Sequence, residues 1–206
     1  MKVDPESPAV QGLTTFLAFV VLNLLYLMTC LPVVTIGVAT SALYEVTFRY
    51  ADEERGNLLR DYIAALRRNA ARATAVFAAL GLPLAALLFA AAFWSALGGG
   101  LSVAATIIAV LAAAYLLAAL LYGLALVASY RNSLRQTLKN ALLLPGAEPL
   151  WTLGILLVPV TCVALLVAMP GFVYLIATIG FSVGSYASAF LFRRVFRGYA
   201  GTVTGA

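Results

Sequence analysis

Residues 73–130 read ATAVFAALGLPLAALLFAAAFWSALGGGLSVAATIIAVLAAAYLLAALLYGLALVASY, a stretch without one charged side chain. A helix needs about 20 consecutive apolar residues to cross the hydrocarbon core of a bilayer, so this stretch is long enough for two crossings. Gly98-Gly99-Gly100 lies near its middle and supplies the turn between them. The stretch therefore predicts two transmembrane helices, over about 73–97 and 101–130.

A second charge-free stretch, 149–192, has the same organisation. It is also long enough for two crossings, which we place at about 150–168 and 171–192. Met169-Pro170-Gly171 marks the reversal between them, because adjacent proline and glycine favour a turn.

The composition of the whole chain agrees with a membrane protein. Of its 206 residues, 64% are hydrophobic and 10% are charged, whereas a soluble domain is roughly 45 to 50% apolar and about 25% charged. The net charge of +5 comes from basic residues between the apolar stretches, where membrane topology explains them better than nucleic-acid binding does. No linker-like segment divides the chain, so residues 1–206 are interpreted as one integral membrane domain.

The first charge-free stretch, 7–44, is ambiguous. Residues 13–31 make one good span. Pro32 then removes a backbone donor and Gly37 loosens the chain again, so we expect residues 32–48 to form a broken re-entrant or interfacial segment. The alternative is a short sixth crossing. The predicted fold is thus an all-α, polytopic transmembrane bundle of about five spans.

The basic residues test this topology. With five crossings every basic residue except Lys2 falls on one side of the membrane: Arg49, Arg55, Arg60, Arg67, Arg68, Arg72, Arg131, Arg135, Lys139, Arg193, Arg194 and Arg197. The positive-inside rule makes that side cytoplasmic, with the N-terminus outside and the C-terminus inside. Six crossings would place the N-terminus inside.

Two segments on the cytoplasmic side, 57–72 and 131–144, have apolar residues at helical spacing and basic residues between them. We interpret both as amphipathic helices on the membrane surface, with Asn57 as a cap of the first. Docking surfaces for a cytoplasmic partner are the alternative interpretation.

The chain carries few groups suited to catalysis or metal binding. It has no histidine, and Cys30 and Cys162 are far apart in apolar stretches, so we expect no metal site, no cofactor and no enzymatic activity. Gly180-Phe181-Ser182-Val183-Gly184 matches G-x-S-x-G but lies in an apolar helix without a histidine partner. Gly180 and Gly184 are better interpreted as a small-residue packing face between helices.

Several polar residues within the apolar stretches are candidate functional positions. Five on the last helix share a broad face that would either line a polar cavity or bond within a packed interface: Tyr174, Thr178, Ser182, Ser185 and Ser188. Asn23 is an amide deep in the first span, and we expect a hydroxyl on a neighbouring helix as its partner. Glu45, beside Tyr44, is a candidate for a relay or a pair with Arg49, although a solvated segment end is the alternative.

Two stretches carry a family resemblance. Leu31-Pro32-Val33-Val34-Thr35-Ile36-Gly37, with Ala39-Thr40-Ser41-Ala42-Leu43-Tyr44 after it, and Thr137-Leu138-Lys139-Asn140-Ala141-Leu142-Leu143-Leu144 resemble the two signature stretches of the YesL-type bacterial membrane proteins. That family is a domain of unknown function with no assigned catalytic or binding residues. The resemblance implies a protein of the bacterial cytoplasmic membrane encoded near carbohydrate uptake systems.

Two functions are therefore expected. The first is a non-enzymatic accessory subunit of a carbohydrate ABC importer, which would contact permease subunits or a second copy through small-residue helix faces. The second is a stand-alone small-solute transporter or channel built around the broken first segment and the hydroxyl face of the last helix. The lipid bilayer is a partner in both.

Overall fold

The structure, a computed structural model, describes residues 8–52 and 56–199. These residues form helices joined by short turns. The helices are α1 (Pro8–Cys30), α2 (Ile36–Ala51), α3 (Leu58–Leu97), α4 (Gly100–Ser129), α5 (Leu134–Ala147), α6 (Pro149–Ala168), α7 (Phe172–Leu175) and α8 (Phe181–Gly198). Lys2 and Arg55, which enter the charge argument, lie outside the described residues.

Five helical runs in the described part of the chain are long and apolar enough to cross a membrane. They are Gly12–Cys30, Leu58–Leu97, Gly100–Ser129, Pro149–Ala168 and Phe172–Gly198. This confirms the predicted all-α, polytopic bundle with about five helices able to span a membrane.

The turn between α3 and α4 forms at the predicted glycines. Gly98 and Gly99 have φ angles of 69° and 93°, a region that side chains with a Cβ rarely adopt. The chain therefore reverses within two residues, and α3 and α4 pack along each other as a hairpin.

The N-terminal part of α3 differs from the prediction of a separate surface helix over 57–72. Asn57 caps the helix as expected, since its Oδ1 accepts a hydrogen bond from the Arg60 N–H at 3.2 Å. The helix then continues for 40 residues without a break. At 1.5 Å per residue it is about 60 Å long, roughly twice the hydrocarbon thickness of a bilayer. The amphipathic segment is therefore the first part of a longer helix, and its residues Tyr62, Ala65 and Asn69 are buried in the bundle.

The second predicted amphipathic segment forms α5, with the Ser133 hydroxyl accepting a hydrogen bond from the Gln136 N–H at 3.3 Å. One face of α5 packs against the bundle, because Asn140, Ala141 and Leu144 are buried. The Tyr115 hydroxyl of α4 donates a hydrogen bond to the Leu142 carbonyl at 2.5 Å. α5 is thus attached to α4 by its buried face.

Helix α2, which contains most of the predicted broken segment 32–48, lies at the centre of the bundle. Ten of its residues, between Gly37 and Phe48, are buried, and it contacts α1, α3, α4 and α8. The break is as predicted, since Pro32 precedes a 3₁₀ turn at Val33–Thr35. Neighbouring helices shield α2 from lipid, so it tolerates polar residues that a lipid-facing span would not.

Helices α1 and α2 run antiparallel. Tyr50, near the end of α2, donates a hydrogen bond to the Thr15 hydroxyl near the start of α1 at 3.4 Å, and the hydroxyls of Tyr26 and Thr40 lie 3.2 Å apart. The start of α1 therefore lies towards the end of the bundle where α2 finishes and Arg193 of α8 contacts Asp52. We call this end the arginine end.

Candidate functional site: the Asn23 clamp and the charged cavity

Asn23 makes the most extensive polar contact inside the bundle. Its side chain is fully buried. The amide nitrogen Nδ2 donates to the carbonyl oxygens of Ile176 at 3.2 Å and Ala177 at 2.6 Å. The amide oxygen Oδ1 accepts from the N–H groups of Phe181 at 2.9 Å and Ser182 at 3.1 Å. We call these four hydrogen bonds the Asn23 clamp.

The clamp has a local cause in the last helix. Residues Ile176–Gly180, between α7 and α8, form a π-helical segment. Such a segment widens one turn and leaves backbone groups without their usual intrahelical partners. An amide side chain carries both donors and an acceptor, so one asparagine satisfies groups on both sides of the segment. The predicted hydroxyl partner was wrong; the partner of Asn23 is backbone.

The hydroxyl face of the last helix divides into a buried and an exposed part. Ser182 donates to the Phe19 carbonyl of α1 at 3.0 Å, and the Ser185 and Thr47 hydroxyls lie 2.8 Å apart. In contrast, Thr178 donates to its own helix at the Tyr174 carbonyl, at 2.6 Å, and Tyr174 is exposed. The buried members therefore join α8 to α1 and α2 rather than lining one polar cavity.

The candidate glycines have different surroundings. A Cβ on Gly184 would lie 3.3 Å from Val158 Cγ1 of α6, whereas one on Gly180 would meet only Ile176 of its own helical run. A Cβ on Gly37 would clash with the Phe77 side chain of α3. Gly37 and Gly184 thus permit close helix contacts within this chain.

Tyr44 belongs to an aromatic cluster in the core. Its ring stacks on Phe48 with centroids 5.5 Å apart and meets the edge of Phe192 at 5.3 Å. Phe192 also contacts Tyr122 of α4 with centroids 5.4 Å apart. The cluster connects α2, α4 and α8 close to the arginine end.

Glu45 pairs with α3 instead of with its own helix. Its carboxylate forms an ion pair with Arg68 and accepts a hydrogen bond from Asn69 Nδ2 at 2.8 Å. Asn69 is buried and also donates to the Ser41 hydroxyl at 3.3 Å. The candidate pair of Glu45 with Arg49 is therefore replaced by a pair with Arg68, and the preferred alternative, a solvated segment end, does not describe this buried contact. Arg49 instead reaches Asp61 of α3 at 3.7 Å.

Glu45, Arg68 and Asn69 line a cavity of about 670 Å³ at the arginine end. Its charged lining is Glu45, Arg49, Asp52, Arg68, Arg72, Arg131, Arg193 and Arg197. Tyr130 completes one wall beside Phe196, with ring centroids 5.7 Å apart, and burial raises the pKa of its phenol. In the sequence, these arginines serve only to orient the chain in the membrane. The sequence did not predict that they share one cavity, because they come from distant parts of the chain.

Comparison with known proteins gives a family match for the N-terminal part of the chain. Residues 19–91 match the family described as "Protein of unknown function, DUF624", which is the YesL-type family. The match covers α1, α2 and most of α3, including the first signature stretch but not the second. No curated protein and no solved structure matches the chain.

Proposed function

We propose that this chain, which belongs over residues 19–91 to the YesL-type DUF624 family, is a non-enzymatic accessory subunit of a bacterial carbohydrate uptake system of the ABC importer type. The family association with carbohydrate uptake motivates the system. The internal contacts of the bundle support the role of a subunit over that of a carrier.

One observation favours a subunit over a transporter. The buried polar groups that could have lined a solute path form hydrogen bonds between helices instead. Asn23 and Ser182 join α1 to the last helical run, and Thr47 bonds Ser185 between α2 and α8. A transport path requires polar groups that face a water-filled space. These contacts favour a packed scaffold, so the stand-alone transporter is the second candidate.

The surface proposed for the permease is the part of the α3–α4 hairpin farthest from the arginine end. Phe89, Leu101 and Ile108 are 74%, 78% and 67% exposed. Small alanines interleave with these residues, which permits close approach of another helix. The earlier candidate, Gly184, already contacts Val158 within this chain, so the hairpin is the better docking surface.

We place the protein in the bacterial cytoplasmic membrane with the arginine end and the C-terminus in the cytoplasm, following the positive-inside rule. For the N-terminus, the antiparallel α1–α2 pair supports the cytoplasmic side and six crossings, against the five-crossing expectation of an outside N-terminus. Lys2 then joins the other basic residues. The crossing by α2 is short, and its burial among four helices compensates for its polarity.

Site-specific cross-linking in the native host tests the subunit proposal. A photoreactive amino acid at Phe89 or Ile108 should capture sugar permease subunits, and gentle purification should recover them with their ATPase. Leu157 on α6, exposed to a similar degree at 63%, provides the matched control position and should capture no permease. Recovery of the protein alone from every position, together with solute uptake by liposomes containing the pure protein, would overturn the proposal in favour of the transporter.

A further inference from the structure

The cavity at the arginine end gathers more positive charge than its own acids neutralise. Its lining contains six arginines and two acids among the described residues. The arginines come from α2, α3, α8 and the loop between α4 and α5. The two acids are each engaged with one arginine, Glu45 with Arg68 and Asp52 with Arg193.

Three of the other arginines have no acid as a partner within residues 8–52 and 56–199. Arg72 donates to a neutral group, the Asn132 carbonyl, at 2.5 Å. Arg131 and Arg197 make no ion pair with any residue of 8–52 or 56–199. Like charges around one space repel each other, so the arrangement favours a bound anion.

Membrane topology does not explain this convergence. The positive-inside rule requires basic residues near one surface and is indifferent to where they point. Arg60, Arg67, Arg135 and Lys139 satisfy it without facing the cavity. The cavity arginines instead share the cavity lining with apolar residues, including Phe48, Val127 and Phe196. Protein walls of low dielectric strengthen the field of a charge cluster in such a space.

We propose that this cavity binds a phosphate monoester, either on a small phosphorylated molecule or on the headgroup of an anionic lipid. Such a phosphate carries close to two negative charges at neutral pH and three acceptor oxygens, which suits several guanidinium groups better than a single carboxylate does. A volume of about 670 Å³ lies within the usual range of roughly 300 to 1,000 Å³ for small-molecule sites. Arg131 and Arg197 are the principal ligands, because neither forms an ion pair with an acid in the described part of the chain.

The test measures binding to the purified full-length protein in a non-ionic detergent. Calorimetric titration with inorganic phosphate and with glucose 6-phosphate should show binding, whereas glucose, or sodium chloride at the same ionic strength, should not. The double variant R131Q/R197Q should raise the Kd for glucose 6-phosphate at least about tenfold. The matched control R67Q/R135Q removes the same charge from exposed arginines outside the cavity and should leave the Kd unchanged.

A second arm distinguishes the two sources of phosphate. Native mass spectrometry of protein from nanodiscs of phosphatidylcholine with phosphatidic acid should show a retained phosphatidic acid if the ligand is a lipid, and this retention should be lost in R131Q/R197Q alone. Binding of glucose 6-phosphate without lipid retention assigns the site to a small molecule. Absence of both, or an equal loss in the two double variants, would overturn the proposal.

Discussion

Asn23 Nδ2 lies 2.6 Å from the carbonyl oxygen of Ala177, and this contact ties the first span to the π-helical segment of the last one. The two residues are separated by most of the chain, so the contact requires the complete bundle. Because the segment exposes backbone groups that its own helix does not satisfy, Asn23 stabilises a helix geometry that is otherwise unfavourable.

Replacement of Asn23 by leucine should destabilise the bundle by about 2 to 4 kcal/mol, because several buried backbone groups lose their partner at once. Reversible unfolding in mixed micelles measures the change. Thr178→Val on the same helical run is the control: Thr178 is exposed and bonds only its own helix, so its effect should stay below about 0.5 kcal/mol. Equal stability of the two variants would show that the clamp contributes nothing.

Gly37→Ala should cost about 1 to 3 kcal/mol, since the new methyl group would overlap the Phe77 side chain and lie 3.0 Å from the Ala73 carbonyl oxygen. Gly81→Ala in α3 is the matched control, because a Cβ there meets nothing closer than 3.8 Å. That change should be neutral or slightly stabilising. Phe77→Ala should relieve part of the Gly37→Ala cost, and independent, additive effects in the double variant would contradict the close contact.

Glu45→Gln should destabilise the protein by about 1 to 3 kcal/mol. The neutral amide is a poorer acceptor than the carboxylate for both the Arg68 guanidinium and the Asn69 amide. Asp61→Asn, which removes the exposed partner of Arg49, should cost less than about 1 kcal/mol. A double-mutant cycle of Glu45→Gln with Arg68→Gln measures the coupling directly. A coupling energy within error of zero would refute the pair.

The position of the N-terminus can be tested with single cysteines in a Cys30→Ser/Cys162→Ser background. Gly12, Gly100 and Gly198 suit this purpose, since a Cβ at each meets nothing within 4 Å. With six crossings, G12C and G198C should react with a membrane-impermeant maleimide only after the cytoplasmic membrane is permeabilised. G100C should react in intact spheroplasts. Labelling of G12C together with G100C would instead establish the five-crossing topology.

Much of the architecture could be predicted from sequence, because the hydropathy of a single continuous stretch is enough to identify a membrane-spanning helix. The uncharged stretch 73–130 requires two crossings whatever its neighbours are, and Gly98-Gly99 marks the reversal by backbone conformation alone. Hydropathy left residues 32–48 open between a re-entrant or interfacial segment and a short crossing, because Pro32 and Gly37 break the chain there. A helix surrounded by protein does not need a lipid-compatible surface, so the central position of α2 depends on its neighbours.

Local composition and length are enough to predict the membrane environment, the five long apolar helices and the gathering of basic residues towards one side. The packing of the helices adds that α2 is central, that Asn23 bonds the backbone of a π-helical segment, and that Glu45 pairs with Arg68. It also brought Arg49, Arg131 and Arg197 around one cavity. These contacts join residues far apart in the chain, and they depend on how helices cross and pack, which no periodicity within a single helix encodes.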